Sequence, residues 1–409
     1  MKRTDPNTLE FAVKALESQF GNLGRVKERI KNHHIETPSW GYGDSGTRFG
    51  VFRQPGVPRN AYERIEDAGV VHKYTGVAPS VAVHIPWDKV EDFKALGDSA
   101  REQGLRIGAI NPNVFQDQDY KLGSLTNENP AIRRKAVDQI SECVEIGKAI
   151  NSNLLSLWFA DGTNYPGQGD FRRRKGYMLE GLGTVYDAMP GGMRMLLEYK
   201  LFEPAWYHTD LADWGMAYSA AQRLGEQAQV LVDLGHHPLG ANIEHIVAFL
   251  IDEGKLGGFH LNDKKYADDD VSVASFNPYQ MFLIYNELAA AEDDPGTRSD
   301  IAYMLDQSHN IKPKIEEMIQ SVVACQTQYA KALLVDRAAL TDAQNNGDVV
   351  RAEEILQDAY QADVRPLLAR VRIEMGLDPD PVIAFRESGY SEKAARERQG
   401  AAGQVTLGG

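Results

Sequence analysis

The sequence has few cysteines, a shortage of basic residues and no long hydrophobic run. Of its 409 residues, 44 are Lys or Arg and 58 are Asp or Glu, so the formal net charge is −14. A nucleic-acid-binding protein needs a basic surface to neutralise phosphates, and this composition argues against one. The longest apolar run, 246–251, is far shorter than the roughly 18 residues that a membrane span needs. The polar N-terminal sequence also lacks the apolar segment of a secretory signal. We therefore expect neither a nucleic-acid partner nor a membrane association.

The two cysteines, Cys143 and Cys325, lie inside helix-like segments and neither belongs to a C-x-x-C pair. This usage argues against both a disulfide framework and a thiolate metal site. It is typical of free thiols in a reducing compartment. We therefore expect a cytoplasmic protein.

Short apolar segments alternate with amphipathic segments through most of the chain. Alternation of this kind predicts βα units and a parallel sheet. The eight strand-like segments are 38–40, 81–84, 105–110, 154–158, 195–198, 230–233, 258–261 and 301–306, and the helical patterns between them include 89–103, 131–150, 211–224 and 242–253. Eight units over roughly 270 residues favour an α/β fold of the closed (β/α)8 TIM-barrel type.

The character of the sequence changes after the eighth unit. Residues 311–409 are polar and helix-rich, which predicts a C-terminal helical extension to a barrel formed by 1–310. Helices that cannot bury an apolar stripe within their own chain often bury it on another subunit. The extension is therefore a predicted oligomerisation element.

Polar residues end the last four strand-like segments. These residues are Glu198, Asp233, His260 and Asp306. In a barrel the carboxyl ends of the strands face one mouth, so the four side chains should converge there. Three carboxylates and one imidazole suit a divalent cation such as Mn²⁺, Mg²⁺ or Co²⁺.

A second set of candidate ligands follows the first closely in the sequence. His236 comes three residues after Asp233, and the acidic loop after His260 contains Asp268 and Asp270. These side chains could hold a second metal, with Asp233 bridging the two sites. A single Asp or His at a strand end is more often a helix cap or a loop hydrogen-bonding residue. Seven of them at consecutive strand ends favour metal binding.

Three further residues are predicted to line the same mouth. Lys200 lies two residues after Glu198 and could polarise a substrate oxygen. His84 closes the second strand and could be a catalytic or substrate-orienting residue, although a lone strand-end histidine is about as often structural. Trp158 ends the fourth strand and is either an aromatic wall for the apolar face of a sugar or an ordinary core residue.

Two local patterns do not indicate function. Residues 41–46 match G-x-G-x-x-G, but the following sequence is not helical, so a dinucleotide-binding turn is excluded. The basic run 172–175 is interpreted as the solvated start of a helix.

Taken together, these motifs resemble the bacterial catabolic L-rhamnose isomerases, in the subtype with broad aldose specificity. The resemblance covers nearly the whole chain. It rests on the motifs at 40–49, 197–200, 232–237, 259–266, 268–270, 305–309 and 384–390.

The resemblance implies a (β/α)8 barrel with a helical extension, a homotetramer and two Mn²⁺-type ions per subunit. In the matching positions, the first metal would be held by Glu198, Asp233, His260 and Asp306, and the second by Asp233, His236, Asp268 and Asp270. Lys200, His84 and Trp158 match substrate-contacting positions. Phe49 matches a residue that reaches into the site of a neighbouring subunit.

The resemblance also implies a reaction, the interconversion of L-rhamnose and L-rhamnulose, with rare sugars such as D-allose and D-allulose as further substrates. Two routes stay open. One is a metal-assisted hydride shift between C1 and C2, which we favour. In the other, a carboxylate such as Asp306 removes the C2 proton through an enediol. The alternatives are a xylose-type isomerase, a ketose 3-epimerase and, less in keeping with an acidic chain, a metal-dependent hydrolase.

Overall fold

The computed structural model describes residues 3–47, 50–202, 205–267, 270–297, 300–308 and 311–399. The strands are β1 (Glu36–Pro38), β2 (Ser45–Thr47), β3 (Gly50–Phe52), β4 (Ser80–Ile85), β5 (Arg106–Pro112), β6 (Leu154–Leu157), β7 (Gly162–Thr163), β8 (Arg194–Glu198), β9 (His208–Thr209), β10 (Ala228–Asp233), β11 (Leu256–Leu261) and β12 (Ala302–Leu305). The α-helices are α1 (Pro6–Phe20), α2 (Gly24–Lys31), α3 (Ala61–Thr75), α4 (Phe93–Glu102), α5 (Pro130–Ile150), α6 (Phe171–Ala188), α7 (Trp214–Leu224), α8 (Ile243–Asp252), α9 (Pro278–Asp293), α10 (Lys314–Leu333), α11 (Arg337–Asn345), α12 (Val349–Gln361), α13 (Arg365–Glu374), α14 (Pro381–Glu387) and α15 (Tyr390–Glu397).

Eight of the strands form a closed parallel barrel in the order β1, β4, β5, β6, β8, β10, β11, β12. The barrel closes at β1, where Glu36 pairs with Ser80 of β4 on one side and with Met304 of β12 on the other. Strands β2 and β3 form one antiparallel hairpin, and β7 and β9 form another small sheet. The predicted (β/α)8 fold is confirmed.

The first strand lies earlier than the sequence pattern predicts. The chain leaves the barrel after Pro38, and Ser39–Tyr42 forms a 3-10 turn that is closed by a bond from Gly43 N to the Trp40 carbonyl (3.0 Å). The prediction of a strand at 38–40 was therefore wrong by two residues. The physical reason is that proline has no N–H for the ladder, so Pro38 is a natural last residue.

The helix after β12, α10, packs against α9 and α3 on the outside of the barrel. It therefore occupies the position of the helix that follows the eighth barrel strand. At the other end of the chain, α1 packs against α13. The division of the chain at residue 310 stays a prediction.

Both cysteine side chains are buried, Cys143 in α5 and Cys325 in α10. Within the described ranges, no helix combines the length and the apolar character that crossing a membrane requires.

The barrel has a small interior core that is separate from the larger core between strands and helices. Its residues are Trp40, Ala82, Ala109, Leu154, Leu196, Leu231 and Met304. Beside them the buried Glu36 side chain crosses to β5 and accepts a hydrogen bond from Ala109 N at 2.8 Å. A Cβ at Gly108 would overlap the Glu36 carboxylate. Gly108 therefore provides the space that this glutamate fills.

We expect Gly108→Ala to lower the free energy of unfolding by about 1–3 kcal/mol, because overpacking a rigid interior forces side chains from their rotamers. The matched control is Gly183→Ala in α6, where a Cβ meets open space. That change should instead stabilise the protein by about 0.5–1 kcal/mol, since alanine is the better helix former. Urea unfolding of both variants measures the difference. Equal stabilities would contradict the proposed overlap at Gly108.

Candidate metal centre and active site

Four of the predicted ligands converge at the carboxyl ends of β8, β10, β11 and β12. Ligand atoms of Glu198, Asp233, His260 and Asp306 all lie within 4.8 Å of one another. The parallel register explains this, because Asp233 pairs with His260 across β10 and β11. Glu198 and Asp233 are the last residues of their strands, and Asp306 directly follows β12. Strand geometry alone therefore brings these four residues together.

The imidazole of His260 lies at the centre of the cluster. Its Nδ1 atom is 3.2 Å from Glu198 Oε1, 3.3 Å from Asp306 Oδ2 and 3.9 Å from Asp233 Oδ2. Burial opposes a charge on this ring, but the three carboxylates outweigh burial and raise the pKa of His260 to about 10. The cluster therefore favours a positive charge among its oxygens.

The pKa shifts of Glu198 and Asp306 also indicate that the cluster favours a positive charge. Burial opposes ionisation of Glu198, yet the neighbouring His260 and His236 lower its pKa. Burial raises the pKa of Asp306, and the charge of Glu198 adds to this effect. Two buried carboxylates and the partly exposed Asp306 around one imidazole favour a cation among them.

The donor set fits a divalent metal ion. His260 Nδ1 is buried and has no aligned hydrogen bond within the described structure, although three carboxylate oxygens surround it. An imidazole nitrogen and carboxylate oxygens are ligands that Mn²⁺, Co²⁺ and Mg²⁺ accept. A cation among these groups would supply the positive charge that the cluster favours. The cluster could therefore bind a metal.

His236 lies beside this cluster, on the turn that follows β10. Its Nδ1 atom is 3.0 Å from the Tyr199 carbonyl, which can only accept a hydrogen bond, so Nδ1 carries the proton. The other ring nitrogen, Nε2, lies 3.9 Å from Asp233 Oδ2. A histidine that donates one N–H to a carbonyl presents its other nitrogen as a metal ligand. The structure thus brings His236 next to the predicted bridging residue.

Asp270 also returns to this side of the barrel. The amide nitrogen of Asn262 lies 3.4 Å from Asp270 Oδ1 and 3.0 Å from Asp233 Oδ1. Asp268 and Phe49, the two remaining predicted site residues, lie outside the described residues. The second metal site therefore stays a prediction.

Lys200, Trp158 and His84 line the same end of the barrel. The Lys200 ammonium is buried and lies 5.0 Å from the centre of the Trp158 ring. Trp158 is half-buried and packs edge-on against Phe115 at 4.7 Å between ring centres. His84 stacks on Trp87 at 4.0 Å. These contacts form an aromatic wall, which consists of Trp87, Phe115 and Trp158.

His84 is a neutral side chain in this environment. Burial lowers its pKa to about 3, and the nearby charges of Arg64 and His260 act in the same direction. Its Nδ1 atom and the Trp158 Nε1 atom are both buried without a hydrogen-bond partner in the described part of the chain. Buried polar atoms are normally bonded. These two atoms are therefore well suited to bind a polar ligand.

The sequence patterns missed several residues that support the site. Trp40 donates its Nε1 hydrogen to Asp306 Oδ1 at 2.8 Å, although 266 residues separate the two positions. Asp88 accepts hydrogen bonds from Arg64 (2.7 Å), from His84 N (2.8 Å) and from the Ser39 hydroxyl. No periodicity indicates such contacts, because the partners lie on different elements.

Comparison with known proteins places the chain among sugar isomerases. No family model matches it. A probable sugar isomerase of Rhizobium meliloti (strain 1021) is 45% identical over 387 residues, which cover 93% of this chain and 90% of that protein. Another probable sugar isomerase, from Mesorhizobium japonicum, is 43% identical and covers 95% and 94% of the two chains.

Two further likenesses are more distant. A xylose isomerase of Thermus thermophilus is 24% identical over 267 residues, 59% of this chain and 69% of that protein. Among solved structures, a D-allulose 3-epimerase from Methylomonas sp. matches with a TM-score of 0.53 and 13% identity, over 73% of this chain and 98% of that one. At this identity the structural match supports the barrel fold alone.

Proposed function

Because the chain belongs to the family of sugar isomerases, we propose that it is a metal-dependent aldose–ketose isomerase that interconverts L-rhamnose and L-rhamnulose. Its further substrates would be rare sugars such as D-allose and D-allulose. The observation that carries the proposal is the convergence of Glu198, Asp233, His260 and Asp306 within 4.8 Å at the barrel mouth. The sequence motifs quoted above support the choice of L-rhamnose.

In this proposal Glu198, Asp233, His260 and Asp306 hold one Mn²⁺-type ion, and Asp233, His236, Asp268 and Asp270 hold a second. Bound there, the metals supply Lewis acidity that polarises the sugar oxygens. Other residues of the chain orient the metal ligands. Trp40 holds Asp306 Oδ1 at 2.8 Å, so Asp306 Oδ2 is the oxygen that lies towards His260.

The reaction requires no external oxidant or reductant. The C2–H bond of the aldose breaks, a C1–H bond forms, and the proton on O2 is transferred to O1. We assign proton transfer near C2 to Asp306. Lys200 would stabilise the negative charge that develops on a sugar oxygen. The direct hydride shift and the enediol route differ in whether solvent hydrogen enters the product.

The remaining residues of the mouth suit a sugar. The Nδ1 atom of His84 and the Nε1 atom of Trp158 have no partner in the described structure, and hydroxyl groups would provide partners for both. The aromatic wall suits the apolar face of a sugar ring or the methyl group of a 6-deoxy sugar. Water is excluded where the sugar packs on these rings.

The test uses the purified full chain after treatment with a chelator. L-rhamnose is added with and without Mn²⁺, and the formation of L-rhamnulose is followed, with D-allulose and D-xylose in parallel. We expect metal-dependent isomerisation, with the fastest turnover for L-rhamnose. Product identity separates the alternatives, because a 3-epimerase converts D-allulose into D-fructose, whereas an aldose–ketose isomerase converts it into D-allose.

Faster turnover of D-xylose would contradict the preference for L-rhamnose and favour a xylose-type isomerase. D-fructose from D-allulose, without any aldose, would favour the epimerase. No turnover of any of the three sugars with any metal would overturn the proposal. Deuterium incorporation from D₂O during a single turnover would exclude the hydride shift.

We also propose that the protein is a cytoplasmic homotetramer. In this assembly, Phe49 of one subunit would reach into the sugar site of its neighbour. The proposal rests on the resemblance and on the helix-rich region after residue 310. Sedimentation velocity tests the assembly, and a single species at the monomer mass of 45.4 kDa would contradict it.

A further inference from the structure

Asn262 lies at the junction of the two proposed metal sites. It directly follows β11, two residues after His260. Because side chains alternate along an extended segment, residues two apart share one side. Asn262 is 1% exposed, so its amide is held inside the protein beside the cluster.

The loop after Asn262 folds back onto it. Asp263 and Val271 form an antiparallel bridge with two backbone hydrogen bonds, from Asp263 N to Val271 O (3.0 Å) and from Val271 N to Asp263 O (3.2 Å). This bridge returns Asp270, the residue before Val271, to the side chain of Asn262. Asp270 has a positive φ of +44°, a conformation that is uncommon outside glycine but that aspartate enters more readily than most residues.

The amino group of Asn262 contacts both carboxylates at once. Its Nδ2 atom is 3.0 Å from Asp233 Oδ1, 3.1 Å from Asp233 Oδ2 and 3.4 Å from Asp270 Oδ1. Two carboxylates that share one donor would otherwise repel each other. The Asn262 amide donates to both carboxylates and thus offsets part of that repulsion.

The orientation of the amide is set by these acids. Asn262 Oδ1 is buried and has no hydrogen-bond partner within the described ranges. Rotating the amide would place this oxygen against carboxylate oxygens, which cannot donate a hydrogen bond. The NH₂ group therefore faces Asp233 and Asp270.

We infer that Asn262 is a positioning residue that holds Asp270 against Asp233 and so sets the affinity of the second metal site. The inference rests on the proposed function, because it assumes that these two aspartates are metal ligands. Asp233 has another support, a hydrogen bond of 2.7 Å from Gly235 N to Oδ1. The Asn262 amide in turn links Asp233 to Asp270.

The experiment compares Asn262→Leu with the unmodified chain. Leucine has a similar shape and no hydrogen-bond donor. Mn²⁺ is titrated into the chelator-treated full-length protein by calorimetry, and the bound metal is counted after gel filtration. We expect the affinity for the second ion to fall about 10- to 100-fold, as is common when an outer hydrogen-bond partner of a ligand is removed. The affinity for the first ion should change by less than about threefold, because Glu198, His260 and Asp306 remain.

The matched control is Asn277→Leu. Asn277 donates to Asp263 Oδ1 at 2.8 Å and to the Lys264 carbonyl at 3.0 Å. It therefore supports the same loop without contacting a proposed ligand. Thermal unfolding of the metal-free proteins shows whether either variant merely loosens the fold.

Each possible outcome of these titrations either supports or overturns the proposed role of Asn262. A weakened second ion in Asn262→Leu, with both ions retained in Asn277→Leu, supports it. Two ions bound with unchanged affinity in Asn262→Leu, or an equal loss in both variants, overturns the role of Asn262 and leaves the proposed function standing. If the unmodified chain binds fewer than two ions, the two-metal site and the role of Asn262 both fail.

Discussion

Replacing Glu198 with Gln is expected to lower the turnover of L-rhamnose by about three orders of magnitude while the protein stays folded. The carboxylate contributes negative charge at 3.2 Å from His260 Nδ1 and belongs to the set of four converging ligands. Gln has nearly the same shape but no charge and is a poor ligand for a hard cation. A bound metal contributes several kcal/mol to the stabilisation of charge in a transition state, and about 4 kcal/mol corresponds to the expected loss.

The matched control is Glu36→Gln, which changes another buried glutamate of the same barrel. Glu36 accepts a hydrogen bond from Ala109 N, and burial raises its pKa. A neutral Gln therefore fits that environment, and turnover should be retained. Steady-state kinetics, circular dichroism and metal content are measured for both variants. Near-normal turnover in Glu198→Gln would remove this residue from the proposed metal site.

Replacing Asp88 with Ala is expected to lower the free energy of unfolding by about 3–5 kcal/mol, because it leaves a buried guanidinium without its counter-charge. The Arg64 and Asp88 side chains are both 0% exposed and lie 2.7 Å apart. Asp88 also accepts hydrogen bonds from His84 N and the Ser39 hydroxyl. Its loss should therefore loosen both the end of β4 and the turn that carries Trp40.

Urea unfolding tests this expectation against two further variants. Asp119→Ala removes an exposed partner of Lys135, at 2.7 Å, and should change stability by less than about 1 kcal/mol. Combining Asp88→Leu with Arg64→Met replaces the buried pair by apolar side chains and should recover much of the loss. If Asp88→Ala were no less stable than Asp119→Ala, the buried pair of Arg64 and Asp88 would not support the barrel mouth.

The barrel was predictable from the sequence because its signal is repeated. Buried parallel strands produce short apolar runs, and eight such runs lie between helical patterns. The convergence of Glu198, Asp233, His260 and Asp306 followed from the same geometry, since each lies at a strand end. The misplaced first strand shows the limit, because three residues are too few for a periodic pattern.

Contacts between distant elements were not predictable in the same way. Asn262 could have been found by counting two residues from His260, but its partner Asp270 returns only through the bridge between Asp263 and Val271. The basic run 172–175 predicts the solvated start of a helix, and this prediction is wrong for Arg174, which is buried against Asp210 at 2.8 Å. Charge alone does not reveal a partner that lies 36 residues away.

The two buried cysteines make the protein convenient for site-specific labelling. The chain has two cysteines, and burial raises the pKa of the Cys325 thiol to about 12 and that of Cys143 further still. Maleimide reagents react with accessible thiolates, so both native side chains should be inert in the folded protein. A cysteine introduced at the rim of the barrel mouth would then be the single reactive position. A fluorophore attached there could follow sugar binding in the otherwise unmodified chain.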